Sequence, residues 1–249
     1  MLNRYTILIV ALVGFGIVGC SSTEEVSKPV QPKASALKAA PKAEAKANHD
    51  GLVYLAQEEK VAYDVYVALG KKWPHYTFAN IQKSEARHMQ AVGRLLAKRG
   101  LKDPNANLAP GKFHDAKLQA MHDKLIKQGS VSLQAALKVG ALIEEQDISD
   151  LNEELAKKGN DEDVIRVLTN LRRASYNHLD GFASSLEKEG KLVYKPQLLT
   201  PAVYQEARKQ GAAHHKMHRG KGHGKGHGKG HGQGKESCDG GCEGCAGEH

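Results

Sequence analysis

No cysteine lies between Cys20 and Cys238. No disulfide can therefore staple that stretch, and its stability must come from an apolar core or a bound metal. Aromatic residues are scarce at 5%, with a single Trp, which leaves no stacking platform of the kind single-stranded nucleic acids require. Long apolar runs are missing too. The longest, over 7–18, is too short to cross a bilayer as a mature helix. No segment shows a convincing strand alternation, which excludes a sheet-based fold. The formal net charge of +8 would suit a nucleic-acid partner, but the excess sits mainly near the two ends, so nucleic acid is set aside.

At the N-terminus, Arg4 precedes the apolar run, which closes in Ile17, Val18, Gly19 and Cys20. This pattern resembles the lipobox of bacterial lipoproteins and implies a signal peptide over 1–19 with lipidation at Cys20. Ser21 after the cysteine resembles the outer-membrane sorting pattern. The expectation is an envelope protein, lipid-anchored in the outer membrane and facing the periplasm. Residues 20–49 are Lys, Ala, Glu, Ser and Pro with few large apolar groups, and read as a flexible tether.

The middle, 50–191, reads as one helical domain. Apolar residues recur at helical spacing over 51–72, 76–99, 115–128, 132–158 and 161–188. Pro74 ends the first helix, Gly100 the second and Gly159 the third long one, and Asp161 is placed to cap the fourth. Tight turns join the long helices only at the first and last junctions. The loop between the second and third is long, with a short helix of its own. That topology matches an all-α, ferritin-like four-helix bundle with a long crossover.

Polar residues interrupt the apolar stripes at mid-length. Glu59 lies between Leu55 and Tyr66, and Glu85 and His88 lie between Ile81 and Val92. Glu144 shares a face with Leu137 and Leu151, and His178 lies between Leu171 and Phe182. Burying such groups unpaired costs several kcal/mol, roughly, for each charge. A cation between them removes that cost. Asp147, three residues after Glu144, is an auxiliary candidate, while Tyr66, Ser175 and Glu145 are placed to support the ligands. Oxygen-rich ligation with two imidazoles suits iron or manganese, as one ion or a pair, and zinc would also bind.

These residues carry a resemblance. The segments around Glu58-Glu59 and Tyr66, Ser84-Glu85-Ala86-Arg87-His88-Met89, residues 140–151 and Ser175-Tyr176-Asn177-His178-Leu179 resemble a prokaryotic ferritin-like family of unknown function. They are similar more distantly to rubrerythrin and bacterioferritin. The resemblance covers about 50–190. It implies ligands at Glu59, Glu85, His88 and Glu144, a tyrosine at 66 and a second Glu-x-x-His on the last helix. Here that last motif reads Ser175-x-x-His178 and lacks one bridging carboxylate.

Residues 192–210 read as a connecting segment, and 211–249 as a tail rich in Gly, His, Lys and Cys. Its His214, His215, His218, His223, His227, His231, Cys238, Cys242 and Cys245 suit Ni, Cu or Zn, although the three thiols can also form one disulfide with one left over. Two functions compete. One is a lipid-anchored protein binding iron in its core, with ferroxidase or peroxidase-type activity. The other is a non-catalytic metal buffer acting through the tail. Expected partners are the membrane and metal ions, and a homodimer is compatible with the sequence.

Overall fold

The structure is a computed structural model that describes the backbone of residues 40–220 and the side chains of 48–213. The expected signal segment 1–19, Cys20 and the expected tether as far as residue 39 lie outside the described residues, as do His223, His227, His231, Cys238, Cys242 and Cys245 and the side chains of His214, His215 and His218.

The described residues form six helices: α1 (Ala40–Lys72), α2 (Tyr76–Lys98), α3 (Ala116–Gly129), α4 (Leu133–Ala156), α5 (Glu162–Gly190) and α6 (Pro201–Gly220). Among them there is no strand, so the fold is all-α. The long helices close into a ring, with α1 against α2 and α4, and α5 against α2 and α4. α2 and α4 stand across the diagonal, which is why their connection needs length. That connection is tied to α1: Asn105 Nδ2 donates to the Ala56 carbonyl at 2.6 Å, Lys60 Nζ to the Ala109 carbonyl at 3.2 Å, and the Gly111 amide to Asp64 Oδ2 at 2.8 Å. α3 packs on α1 and α4.

Helix starts follow their caps. His75 Nδ1 accepts from the Thr77 amide, Asp115 from Lys117 and Leu118, and Ser132 from Ala135. Asp161 departs from expectation. It holds the N-cap position of α5 without a side-chain cap bond, because its carboxylate is drawn to Arg99 Nη2 at 2.8 Å. Arg99 and Lys98 also hold Asp163, so the end of α2 is fastened to the start of α5.

Two boundaries need correction. α1 begins at Ala40, inside the stretch expected to be a flexible tether, because Ala, Lys and Glu dominate after Pro41 and are strong helix formers. Residues 192–210 are not a mere connector, and residues 211–220 are helical. α6 starts with Pro201, suited to a first turn, and packs on α5 through buried Tyr204, Ala207 and Gly211. A Cβ at Gly211 would lie 2.4 Å from the Tyr176 carbonyl oxygen, so the two helices can meet this closely only at glycine. Arg208 adds a 2.7 Å bond to Asp180 Oδ1.

The segment leading into α6 is held by Glu145, which is fully buried. Its carboxylate accepts from Tyr194 Oη at 2.5 Å and from the amides of Gln197, Leu198 and Leu199 at 2.9, 2.8 and 2.8 Å. The site residue expected at 145 is therefore a clamp for the C-terminal segment. The carboxylate in turn pushes the Tyr194 hydroxyl, already disfavoured from ionising by burial, well above the usual range.

Apolar side chains form two cores. One gathers Val61, Tyr66, Phe78, Phe182 and Leu186 with their neighbours; the other gathers Leu52, Leu55, Val92, Leu151 and Leu168. Tyr66, Phe78 and Phe182 pack with centroids 5.2–6.2 Å apart. On α1, α2 and α5 the buried members of the two cores are separated by residues 57–60, 82–91 and 172–178, within which partly buried Ala91 and Tyr176 pack against the second and the first core. Replacing Glu145 by Ala should take the acceptor from three part-buried amides. Urea unfolding is expected to show a loss of about 3 kcal/mol, and hydrogen exchange should quicken first at residues 194–207. An unchanged midpoint would contradict the clamp.

Candidate metal centre

The gap between the two cores is filled with charge. Glu59 from α1, Glu85 and His88 from α2, Glu144 from α4 and His178 from α5 are all buried. They form two triads, Glu59–Glu85–His88 and Glu85–Glu144–His178, and within each triad one ligand atom per residue lies within 4.8 Å of the others. Glu85 belongs to both. Its Oε2 is 2.9 Å from His88 Nδ1 and its Oε1 is 2.8 Å from His178 Nδ1. Glu59 Oε2 stands 3.3 Å from His88 Nδ1, and Glu144 Oε1 stands 3.4 Å from His178 Nδ1. The imidazoles stack at 5.5 Å between centroids.

Helix periodicity produces this arrangement. Glu85 and His88 are three residues apart and so share a face, and each remaining helix brings one side chain to the same level. Tyr66 crosses from α1 to donate to Glu144 Oε1 at 2.7 Å and to the Gly140 carbonyl at 3.3 Å. Gly140 is required there, since a Cβ would fall 2.4 Å from the Phe182 ring. Ser84 Oγ lies 3.3 Å from His88 Nε2, so one ring nitrogen of His88 faces the carboxylates and the other faces a hydroxyl.

The electrostatics show what the cluster lacks. Burial alone would raise the Glu85 carboxyl, but the two imidazoles outweigh it and hold it far below the carboxylate range. Burial raises Glu59 to about 7 against the opposing pull of His88, and it raises Glu144 against His178. Both imidazoles resist desolvation through their carboxylate neighbours: His88 is pushed up to about 11 by Glu59 and Glu85, and His178 to about 9 by Glu144 and Glu85. Protons thus do the work of a cation here. They do it incompletely, since buried Glu59 Oε2, Glu85 Oε1, Glu144 Oε2 and His178 Nδ1 all lack hydrogen-bond geometry. Convergent oxygen and nitrogen donors left in that state fit a metal ion.

Asp147 is buried but joins neither triad. Burial, then Glu144, Glu59 and Glu85, raise its carboxyl well above the ordinary value. Ser175 Oγ donates to the Leu171 carbonyl of its own helix at 3.3 Å. Glu145 lies outside the cluster, engaged by the C-terminal segment. Sequence reasoning missed Glu58, a buried carboxyl raised by burial and by Asp150 and Asp147. Its signal was its place beside Glu59 on a helix covered on more than one side.

A family model described as an uncharacterized protein domain matches residues 48–209. The chain belongs to the DUF2202 family. The DUF2202 match spans all five cluster residues and reaches into α6. The uncharacterized protein MJ0754 of Methanocaldococcus jannaschii is 41% identical over 157 residues, covering 63% of this chain and 84% of that protein. A crystal structure of hypothetical protein MJ0754 from Methanococcus jannaschii has a TM-score of 0.63 at 36% identity, covering 74% of this chain and 98% of that one.

The imidazoles give the metal-free protein a pH dependence of definite sign. His88 and His178 have folded values of about 11 and about 9, above the 6.5 of an ordinary histidine. Their contribution is complete below pH 6.5 and is lost as pH rises toward 9 and beyond, on the order of 1 kcal/mol per pH unit. Urea midpoints of chelator-treated protein should therefore fall between pH 7 and pH 9. A bound metal needs deprotonated imidazoles and should flatten the fall. A level profile without metal would contradict the assigned charge state.

Proposed function

We propose that this DUF2202 chain is a ferritin-like, lipid-anchored metal protein of the cell envelope, holding iron or a metal of similar preference in its helical core. The observation that carries this reading is the pair of triads sharing Glu85. Glu59 and His88 would hold one ion, Glu144 and His178 a second, with Glu85 common to both. Three carboxylates and two imidazoles form a donor set suited to iron or manganese. The resemblance to ferritin-like proteins and the ring of long helices support the same assignment. Lipid anchoring rests on the Cys20 motif alone.

Iron bound there would supply one-electron chemistry toward dioxygen or peroxide, of ferroxidase or peroxidase type. The residues of the chain do the rest. Tyr66 fixes the rotamer of Glu144, a role that typically decides metal affinity. The apolar clusters on either side leave the three carboxylates buried, where their interactions keep their strength. Because Ser175 stands where the resembled pattern has a second carboxylate, Glu85 alone would be shared between two ions, and such a site would be asymmetric.

Anaerobic titration of the full chain with Fe(II) tests the reading. The difference between wild type and Glu85→Ala isolates the core from metal held by the tail. The wild type should bind at least one more equivalent, and affinity for it should fall by a factor of at least ~10 in the variant. Identical isotherms for the two proteins would overturn the proposal.

A further inference from the structure

Between α2 and α5 the ring of helices is open to solvent through a cleft of about 430 Å³. Its wall includes Asn80, Ser84, Arg87, Arg173, Asn177 and His178, and no Asp or Glu lines it. Arg87 and Arg173 are exposed at its rim. Neither makes an ion pair among the described residues, although Arg173 donates to Asn170 at 3.3 Å. The floor reaches the metal ligands at two points. His178 turns Nδ1 to the carboxylates and also lines the cleft. Ser84 borders the cleft and lies 3.3 Å from His88 Nε2.

The opposite side of the centre, between α1 and α4, carries Glu58, Asp147 and Asp150. The molecule therefore sets carboxylates on one side of the centre and guanidinium and amide donors on the other. Guanidinium groups match oxyanions through paired N–H donors, and a cleft of this size admits a small molecule.

We propose that the α2–α5 cleft is a binding site for a small oxyanion, held by Arg87 and Arg173 and meeting the metal centre at His178 and at the Ser84–His88 contact. The site rests on the metal-centre reading only for its purpose, since its donors belong to the polypeptide itself.

Calorimetric titration of metal-free full-length protein with inorganic phosphate, and separately with acetate, at constant ionic strength in chloride, tests the site. Saturable binding of one equivalent, weakened at least tenfold in the Arg87→Gln/Arg173→Gln variant, is the expected result. The two anions distinguish a tetrahedral oxyanion from a carboxylate, and either one binding in this arginine-dependent way supports the site. Both arginines are exposed, so the variant should fold, which circular dichroism checks. Binding equal in the variant would place the anion on the basic tail and overturn the proposal, as would the absence of saturation. The two readings fail separately. If Glu85→Ala leaves Fe(II) binding unaltered while phosphate binding still needs the arginines, the metal centre falls and the anion site stands. Arginine-independent phosphate binding beside Glu85-dependent iron binding gives the reverse.

Discussion

One carboxylate, Glu85, faces two imidazoles from different helices, 2.9 and 2.8 Å away, and the interior of the protein is organised around that contact. A buried carboxylate is tolerable only if positive charge reaches it at short range. Here the positive charge comes from α2 and α5, which the pairing of Arg99 and Lys98 with Asp161 and Asp163 also fastens together at one end. Glu59 and Glu144 then need the same imidazoles, so four helices are committed to one level. The arrangement leaves Glu59 Oε2, Glu85 Oε1 and Glu144 Oε2 buried without a hydrogen-bond donor.

The polar layer is affordable because apolar cores lie above and below it. The Tyr66, Phe78 and Phe182 group on one side and the Leu52, Leu55, Val92 and Leu168 group on the other supply stabilisation that does not depend on the layer's charge state. Between them, electrostatic interactions act at low effective dielectric and keep their strength. The bundle therefore tolerates a local conflict of charge, as functional sites commonly do.

Much of this was legible in the sequence. Glu59, Glu85, His88, Glu144 and His178 sit at helical spacing among apolar residues, and periodicity alone aims them at a common face. What escaped has physical causes. Glu145 follows Glu144 by one residue, and its partners are backbone amides of 197–199, a contact that leaves no sequence pattern. α6 presents only a narrow apolar face, through Tyr204 and Ala207, and its Lys, Gln and His content reads as solvated chain. Asp147 lies on the expected side of α4 but joins neither triad, because spacing fixes direction and not distance.

Adjacent side chains on a helix diverge by about 100°, and α4 uses that divergence at Glu144 and Glu145. One points into the charged layer; the other is locked by four donors from the chain leading to α6. Turning or sliding α4 to suit an incoming ion would tear Glu145 from its donors. The α4 wall is thus a fixed jaw, and were an ion to bind, adjustment to its radius would fall to the rotamers of Glu59 and Glu85 on the other helices.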